Sequence, residues 1–138
     1  MKTPITVSVV INAPIEKVWQ FWNEPEHIKE WAFASDDWHA PAATNDLRVG
    51  GKFSTTMAAK DGSASFDLLG TYTLVEKHSR IEYVMDSEDK RRVIVEFAPQ
   101  DGGTKVTETF DPEDINPIEM QRGGWQAILE NFKKIVTK

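Results

Sequence analysis

Cysteine is absent from this 138-residue chain, and its absence removes three kinds of chemistry at once. Without it there is no disulfide framework, no thiolate nucleophile and no cysteine-ligated zinc site. Histidine is scarce, at three residues. Acidic residues outnumber basic ones by 22 to 16, and the resulting formal net charge of −6 disfavours nonspecific binding to nucleic acid or to an anionic membrane.

Long apolar segments are lacking as well. No stretch approaches the run of about 18 apolar residues that a membrane span requires, and the first residues lack the apolar core of a signal peptide. We therefore expect a cytoplasmic protein without a membrane span. The length, a hydrophobic content of 40% and the lack of repeats predict one domain over residues 1–138.

The first third of the chain predicts one strand followed by two short helices. Residues 5–11 are rich in valine and isoleucine, which is typical of a strand. Pro14 suits the first turn of a helix whose apolar residues recur at helical spacing, namely Ile15, Val18, Trp19 and Trp22. Pro25 starts a second helical piece that ends near Trp31. Residues 32–46 show no periodicity, and we interpret them as a loop.

From Leu47 onward the apolar pattern has a period of two, which predicts five strands joined by short turns. An antiparallel meander follows, because parallel strands would need long crossover connections. The alternation predicts inward-facing residues on each strand: Phe53, Thr55, Met57, Phe66, Leu68, Gly70, Tyr72, Leu74, Ile81, Tyr83, Met85, Val93, Val95, Phe97, Val106, Glu108 and Phe110.

The C-terminal segment predicts one long helix. Asn116 as N-cap, Pro117 as first residue and Glu119 two positions later come close to a capping box. The apolar stripe that follows consists of Trp125, Ile128, Leu129, Phe132, Ile135 and Val136. A long helix across a curved sheet buries both apolar faces. We therefore expect an α+β fold with about six antiparallel strands wrapped around this helix.

Short pieces along nearly the whole chain resemble one family. They are Ala13 to Trp19 with Trp31 downstream, Asp46 to Phe53, Gly70 to Tyr72, Arg80 to Tyr83, Thr104 to Thr107, Gly123 to Trp125 and Leu129 to Phe132. In this order they resemble the family named for activators of the ninety-kilodalton heat-shock protein ATPase, within the START-related lipid-transfer and polyketide-cyclase superfamily. The resemblance implies a helix-grip fold, in which a cavity can lie between the sheet and the C-terminal helix.

In such a fold the candidate cavity lining consists of inward-facing residues of the sheet and of the last helix, together with Trp31 and Trp38, which bracket the loop expected at the cavity mouth. The candidates are Trp31, Trp38, Phe53, Thr55, Met57, Phe66, Leu68, Tyr72, Tyr83, Met85, Val95, Glu108, Trp125 and Leu129. A few polar groups among many apolar ones is the usual composition of a small-molecule pocket. The same set can also form a solid core, and the sequence leaves both alternatives open.

Two features of the inward face conflict with simple core packing. Glu108 alternates with apolar residues, where an unpaired carboxylate is costly. An ion pair, a strand end open to water, or a place in a ligand pocket would each explain it. Gly123 and Gly124 cost the helix about 1 kcal/mol each relative to alanine. Either they allow close packing or a bend at the helix start, or they leave space for a ligand.

No catalytic or metal-binding set emerges from the sequence. His27, His39 and His78 are far apart, no exposed-serine turn of the Gly-x-Ser-x-Gly type occurs, and Gly50-Gly51 lacks the Gly-Lys-Ser/Thr ending of a phosphate-binding loop. We therefore expect neither a metal nor a cofactor.

Three functions follow, in order of preference. The first is noncatalytic binding of a small hydrophobic or aromatic ligand. The second, implied by the resemblance, is an interaction module whose partner is a chaperone and which stimulates a heat-shock protein ATPase. The third, by analogy with the wider superfamily, is a cyclase- or aromatase-like enzyme that uses Glu108, Tyr83 and His39.

Overall fold

The computed structural model of the protein describes residues 3–87 and 89–138. Ten elements follow in chain order: β1 (Ile5–Ile11), α1 (Ile15–Asn23), α2 (Pro25–Trp31), β2 (Trp38–Asn45), β3 (Lys52–Ala59), β4 (Ser65–Glu76), β5 (Arg80–Met85), β6 (Arg92–Gln100), β7 (Gly103–Phe110) and α3 (Ile118–Val136). The strands form one curled antiparallel sheet in the order β1-β7-β6-β5-β4-β3-β2. This confirms the α+β class, the meander and the two short helices.

The N-terminal strand closes one end of the meander by pairing with its last strand. β1 runs antiparallel to β7, from Ile5 opposite Phe110 to Ile11 opposite Thr104. Its exposure alternates as the sequence predicts, with the even-numbered residues outside the core. The buried Thr104 hydroxyl then donates to the carbonyl of Ala13 at 2.9 Å, which fixes the turn from β1 into α1.

The loop interpretation of residues 32–46 is wrong over Trp38–Asn45, which form β2 and bring the sheet to seven strands. β2 pairs with β3, but the register shifts between His39 and Ala42. Pro41 lies within this shift, and proline cannot donate to a strand ladder, so it is confined to edge strands and bulges. The irregularity removes the period-two pattern from the sequence, although the backbone remains extended.

A second register shift, in β4, corrects the predicted face of Leu74. Tyr72 pairs with Tyr83 as the alternation requires, but the shift that follows places Leu74 opposite Glu82 and Val75 opposite the buried Ile81. Val75 therefore packs against the core in place of Leu74. An extra residue in one strand exchanges the two faces for everything beyond it.

The long helix begins one residue later than predicted and without the predicted cap. Pro117 is the N-cap of α3, and no side chain of the described residues forms a capping hydrogen bond there. Gln121 stabilises the preceding loop instead, because its Oε1 accepts from the Glu113 amide at 2.9 Å and its Nε2 donates to the Asn116 carbonyl at 2.8 Å. Asn116 itself donates through its amide to the Glu113 carboxylate at 3.1 Å.

The C-terminal half of α3 fills its side of the core completely. Leu129, Phe132 and Val136 are each 0% exposed. The Asn131 Nδ2 donates to the carbonyl of Trp31 at 3.0 Å and so ties α3 to the end of α2. The packing of the other half of α3 is different, and it defines the candidate site.

Candidate ligand cavity

A cavity of about 310 Å³ lies between the sheet and the first half of α3, with α2 beside it. Eleven of the fourteen candidate residues border it: Trp31, Phe53, Thr55, Met57, Phe66, Leu68, Tyr72, Tyr83, Met85, Glu108 and Trp125. The structure therefore places a space beside these eleven residues, and their part in ligand binding stays a prediction.

The three remaining candidates lie elsewhere. Trp38 borders an adjoining groove of about 330 Å³, near Phe66 with a ring-centroid distance of 6.0 Å. Val95 and Leu129 border neither space, and both are 0% exposed within the filled core. The alternation predicts that Val95 points inward, but it cannot show that its neighbours leave no room beside it.

The cavity also has bordering residues that the sequence analysis did not select. They are Trp22, Ile28, Ala32, Ile81, Arg91, Glu113 and Ile128. Trp22, Ile28 and Ile128 belong to the predicted helices, and their apolar periodicity indicates burial without distinguishing a core from a cavity. Arg91 lies in the turn between β5 and β6, and Glu113 lies in the segment between β7 and α3, where no periodic pattern predicts which way a side chain points.

Aromatic rings form much of the cavity wall and are held in place by specific contacts. Trp22 stacks on Trp31 at 4.8 Å, and the Trp31 Nε1 donates to the Phe21 carbonyl at 2.9 Å. On the sheet side, Phe53 meets Tyr83 edge to face at 4.7 Å. The Phe53 ring lies across Gly70, where an added Cβ would come within 2.3 Å of its Cε2. Gly70 therefore makes room for this ring.

Tyr72 anchors a chain of hydrogen bonds behind the wall. Its hydroxyl donates to the Asn45 Oδ1 at 2.5 Å, and the Asn45 Nδ2 donates to the Asn23 carbonyl at 2.7 Å. Three separate elements, β4, β2 and the end of α1, are thereby joined. Burial raises the pKa of Tyr72 far above its ordinary value, an effect that the hydrogen bond from Tyr72 to Asn45 partly offsets, so this hydroxyl stays protonated.

Glu108 contributes a buried carboxyl group to the cavity. It is 4% exposed, and its neighbours across the sheet are Val95 and Val7. Within residues 3–87 and 89–138 it has neither a hydrogen-bond nor an ion-pair partner. Burial raises its pKa to about 8, and its proximity contributes to the raised pKa of Tyr83, for which burial is the main cause. The ion pair and the water-exposed strand end are therefore both wrong as explanations of Glu108.

Two further charged side chains lie where the cavity meets the groove. Arg91 pairs with Asp89, with 2.9 Å between its Nε and the Asp89 Oδ2. Glu113 borders both spaces and accepts hydrogen bonds from Asn116. Cavity and groove share Met57, Phe66, Arg91, Glu113, Trp125 and Ile128, so the two spaces adjoin.

Comparison with known proteins identifies the family. The family model described as activator of Hsp90 ATPase homolog 1-like protein matches residues 12–137. The chain belongs to this family. Its fold fits the START-like superfamily that the sequence pieces resemble.

Two solved structures are close to this family member over most of their length. The AHSA1-like protein from Aeromonas hydrophila is 49% identical, with 98% of this chain and 92% of that chain covered and a TM-score of 0.90. Chr148 from Cytophaga hutchinsonii is 53% identical, with 95% and 90% covered and a TM-score of 0.82. CV1439 from Chromobacterium violaceum shares the fold, at 22% identity and a TM-score of 0.88 over 99% of both chains. No curated protein matches the chain.

In this family member the first turns of α3 are open. Within the described residues, no atom outside the neighbouring backbone lies within 4 Å of a Cβ added at Gly123 or Gly124. Close packing against the sheet is therefore wrong as an explanation of these glycines. Gly124 borders the groove, which agrees with the alternative that it leaves space, while a bend at the helix start stays a prediction.

The histidines do not assemble into a site. His39 lies in β2 opposite Ala58 and borders neither the cavity nor the groove, so it is separated from Tyr83 and Glu108. His27 stacks on Phe21 at 3.9 Å, and His78 lies in the turn between β4 and β5. The described part of the chain holds no group of three or more potential metal ligands. None of its helices combines the length and apolarity needed to cross a membrane.

Proposed function

We propose that this family member binds a compact hydrophobic or aromatic molecule, without catalysis, in the cavity between the sheet and the first half of α3. The observation that carries the proposal is the cavity itself, at about 310 Å³ with mostly apolar walls and a few polar groups. Small-molecule sites span about 300–1,000 Å³. A volume at the lower end favours a ligand of one or two rings over a long acyl chain.

The walls support binding because they are held in place around an unfilled space. Protein interiors are close-packed, and a void forfeits the contacts of every side chain around it. Here Trp31 and Tyr72 are fixed by hydrogen bonds to other elements, at 2.9 and 2.5 Å. If the wall residues moved into the space, these hydrogen bonds would break. A bound ligand would instead supply the missing packing contacts without breaking them.

A pair of matched variants tests the proposal. Leu68→Trp places a large ring in the cavity, whereas Leu69→Trp places the same ring on the other face, where Leu69 is 41% exposed. We expect one- and two-ring aromatic compounds to raise the Tm of the wild type and of Leu69→Trp, and not that of Leu68→Trp. The proposal fails if no compound raises the wild-type Tm or if both variants respond alike.

A second candidate function, stimulation of a heat-shock protein ATPase, has its own supporting observation. Besides the family match, three large apolar side chains are exposed around the start of α3, namely Ile115 at 87%, Ile118 at 43% and Met120 at 65%. Chaperone ATP turnover in the presence of wild type, Leu68→Trp and an Ile115→Ser/Met120→Ser double variant separates the two functions. A surface mechanism predicts stimulation that only the double variant loses; unchanged turnover with saturating wild type rejects it.

The cytoplasmic location stays a prediction.

A further inference from the structure

Glu108 is an unusual residue to find in a mostly apolar cavity, because it has no partner among the residues that the structure describes. The residue is only 4% exposed, so it is more than nine-tenths buried, and it borders the same space as seven aromatic residues. A buried carboxyl group that lacks a hydrogen bond or an ion pair is costly to retain. The residue therefore calls for a group that reaches it from within the cavity.

The chemistry of that group follows from the charges around the cavity. An anionic ligand would meet Glu108 and Glu113, both of which border the space. The cation among the bordering side chains, Arg91, has its Nε 2.9 Å from the Asp89 Oδ2 and forms no ion pair with Glu108 among the described residues. A positive group on the ligand would therefore find an acidic partner that no neighbouring cation satisfies.

The aromatic walls favour a positive group for an independent reason. Ring faces of tryptophan and tyrosine attract cations, more strongly where water is excluded. Trp31, Tyr72 and Tyr83 are all buried and all border the cavity. Tyr83 is close enough to Glu108 for the carboxylate to affect its pKa, so a cation that reached Glu108 would lie beside a ring that attracts it, whereas an uncharged polar group would gain much less.

We propose that the cavity selects a hydrophobic amine, whose ammonium group pairs with the Glu108 carboxylate while its ring or chain fills the apolar space. The inference rests on the proposed function and names the ligand class. Binding then exchanges one proton for one cation at the same site. In the empty cavity the carboxyl group of Glu108 is protonated and therefore neutral. When an amine binds, this proton is released to solvent, and the ammonium group of the ligand balances the charge of the carboxylate instead.

The exchange makes amine affinity depend on pH. The titratable and charged groups around Glu108 are Tyr83 and Tyr72 on the sheet and Arg91 and Glu113 at the rim, while α3 contributes the uncharged Trp125 and Ile128. Both tyrosines stay protonated, because burial raises their pKa values. With the pKa of Glu108 at about 8, the ionised fraction rises about tenfold from pH 6 to pH 7. Amine affinity should rise about tenfold with it.

Matched probes test the inference by calorimetry. Three pairs differ only in the terminal group: 2-phenylethylamine and 2-phenylethanol, tryptamine and tryptophol, hexylamine and hexanol. We expect at least one amine to bind tenfold or more tighter than its alcohol at pH 7, to gain about tenfold in affinity from pH 6 to pH 7, and to release a proton. Indole-3-acetate should bind more weakly than tryptophol.

Glu108→Gln removes the charge and keeps the shape, while Glu96→Gln makes the same change on the opposite face of the sheet, next to Thr107. Glu108→Gln should weaken the amine tenfold or more and leave its alcohol within about threefold, and Glu96→Gln should alter neither. Alcohols that bind as tightly as their amines, or an amine that Glu108→Gln binds normally, overturn the inference but not the proposed function. Failure of every probe and of the aromatic compounds overturns both.

Discussion

One helix packs in two ways against one sheet. In the packed half, formed by β1, β6, β7 and the end of α3, Phe132 and Val136 are 0% exposed. In the hollow half, formed by β3, β4, β5 and the first turns of α3, Phe53 and Met57 remain partly exposed beside the cavity. Glu108 lies where the two halves meet, next to the fully buried Val95. Stability therefore resides mainly in the packed half, and the proposed function places ligand binding in the hollow half.

The largest expected effect comes from a comparison of two phenylalanines, one in each half. Phe132 is fully buried between Trp22 and Trp31, with ring centroids at 5.0 and 4.8 Å, whereas Phe66 beside the cavity is 53% exposed. We expect Phe132→Ala to lower the free energy of unfolding by about 3–5 kcal/mol, because it removes packing and leaves a void. Phe66→Ala should cost less than about 1 kcal/mol. Urea unfolding measures both, and equal losses would contradict the division.

The packed half could be predicted from the sequence more completely than the hollow half. Alternation in β1 and the stripe that contains Phe132 identify buried positions, because burial against any apolar surface produces the same pattern. That pattern does not show whether the opposite surface contacts the inward-facing side chains or leaves a space beside them. Phe53 and Val95 therefore look alike in the sequence, although one borders a cavity and the other lies in a filled core.

The remaining errors have local causes in the backbone. The register shift around Pro41 hides β2, and the shift after Tyr72 exchanges Leu74 with Val75. Arg91 and Glu113 lie outside the periodic segments, and only the folded chain shows that they border the cavity. The sequence identifies Glu108 as unusual because a carboxylate interrupts an apolar alternation. This holds whether the surface opposite it is packed or leaves a cavity.

A smaller effect, at the boundary between the halves, concerns the dependence of stability on pH. The folded protein holds the Glu108 proton with a pKa of about 8, against an ordinary value of 4.5. Because the unfolded chain releases this proton first, the contribution of Glu108 is complete below pH 4.5 and is lost as pH rises toward 8. The free energy of unfolding should fall by about 2–3 kcal/mol between pH 5.5 and pH 8.

Glu108→Gln is the control for this dependence, because glutamine does not titrate. Its free energy of unfolding should be flatter than that of the wild type across the same range. The carboxyl groups of Asp61, Asp86 and Asp89 have lowered pKa values through hydrogen bonds to Ser63, Thr71 and Ser87 respectively, so their titration lies below this window. Parallel curves for the two proteins would show that the wild-type carboxyl group reaches water.

The smallest expected effect is an increase in the free energy of unfolding. It tests whether the glycines in the first turns of α3 lower the stability of the hollow half while leaving it more space. Apart from the neighbouring helix backbone, a Cβ at Gly124 would meet no atom of the described residues within 4 Å, so Gly124→Ala should raise the free energy of unfolding by about 0.5–1 kcal/mol through helix propensity. Gly70→Ala is the contrasting change, because its Cβ would lie 2.3 Å from the Phe53 ring and should destabilise by about 1–3 kcal/mol. Thermal unfolding measures both. If Gly124→Ala stabilises the fold and also weakens ligand binding, the open first turns of α3 serve the cavity; destabilisation would mean that this glycine has a structural role in the helix.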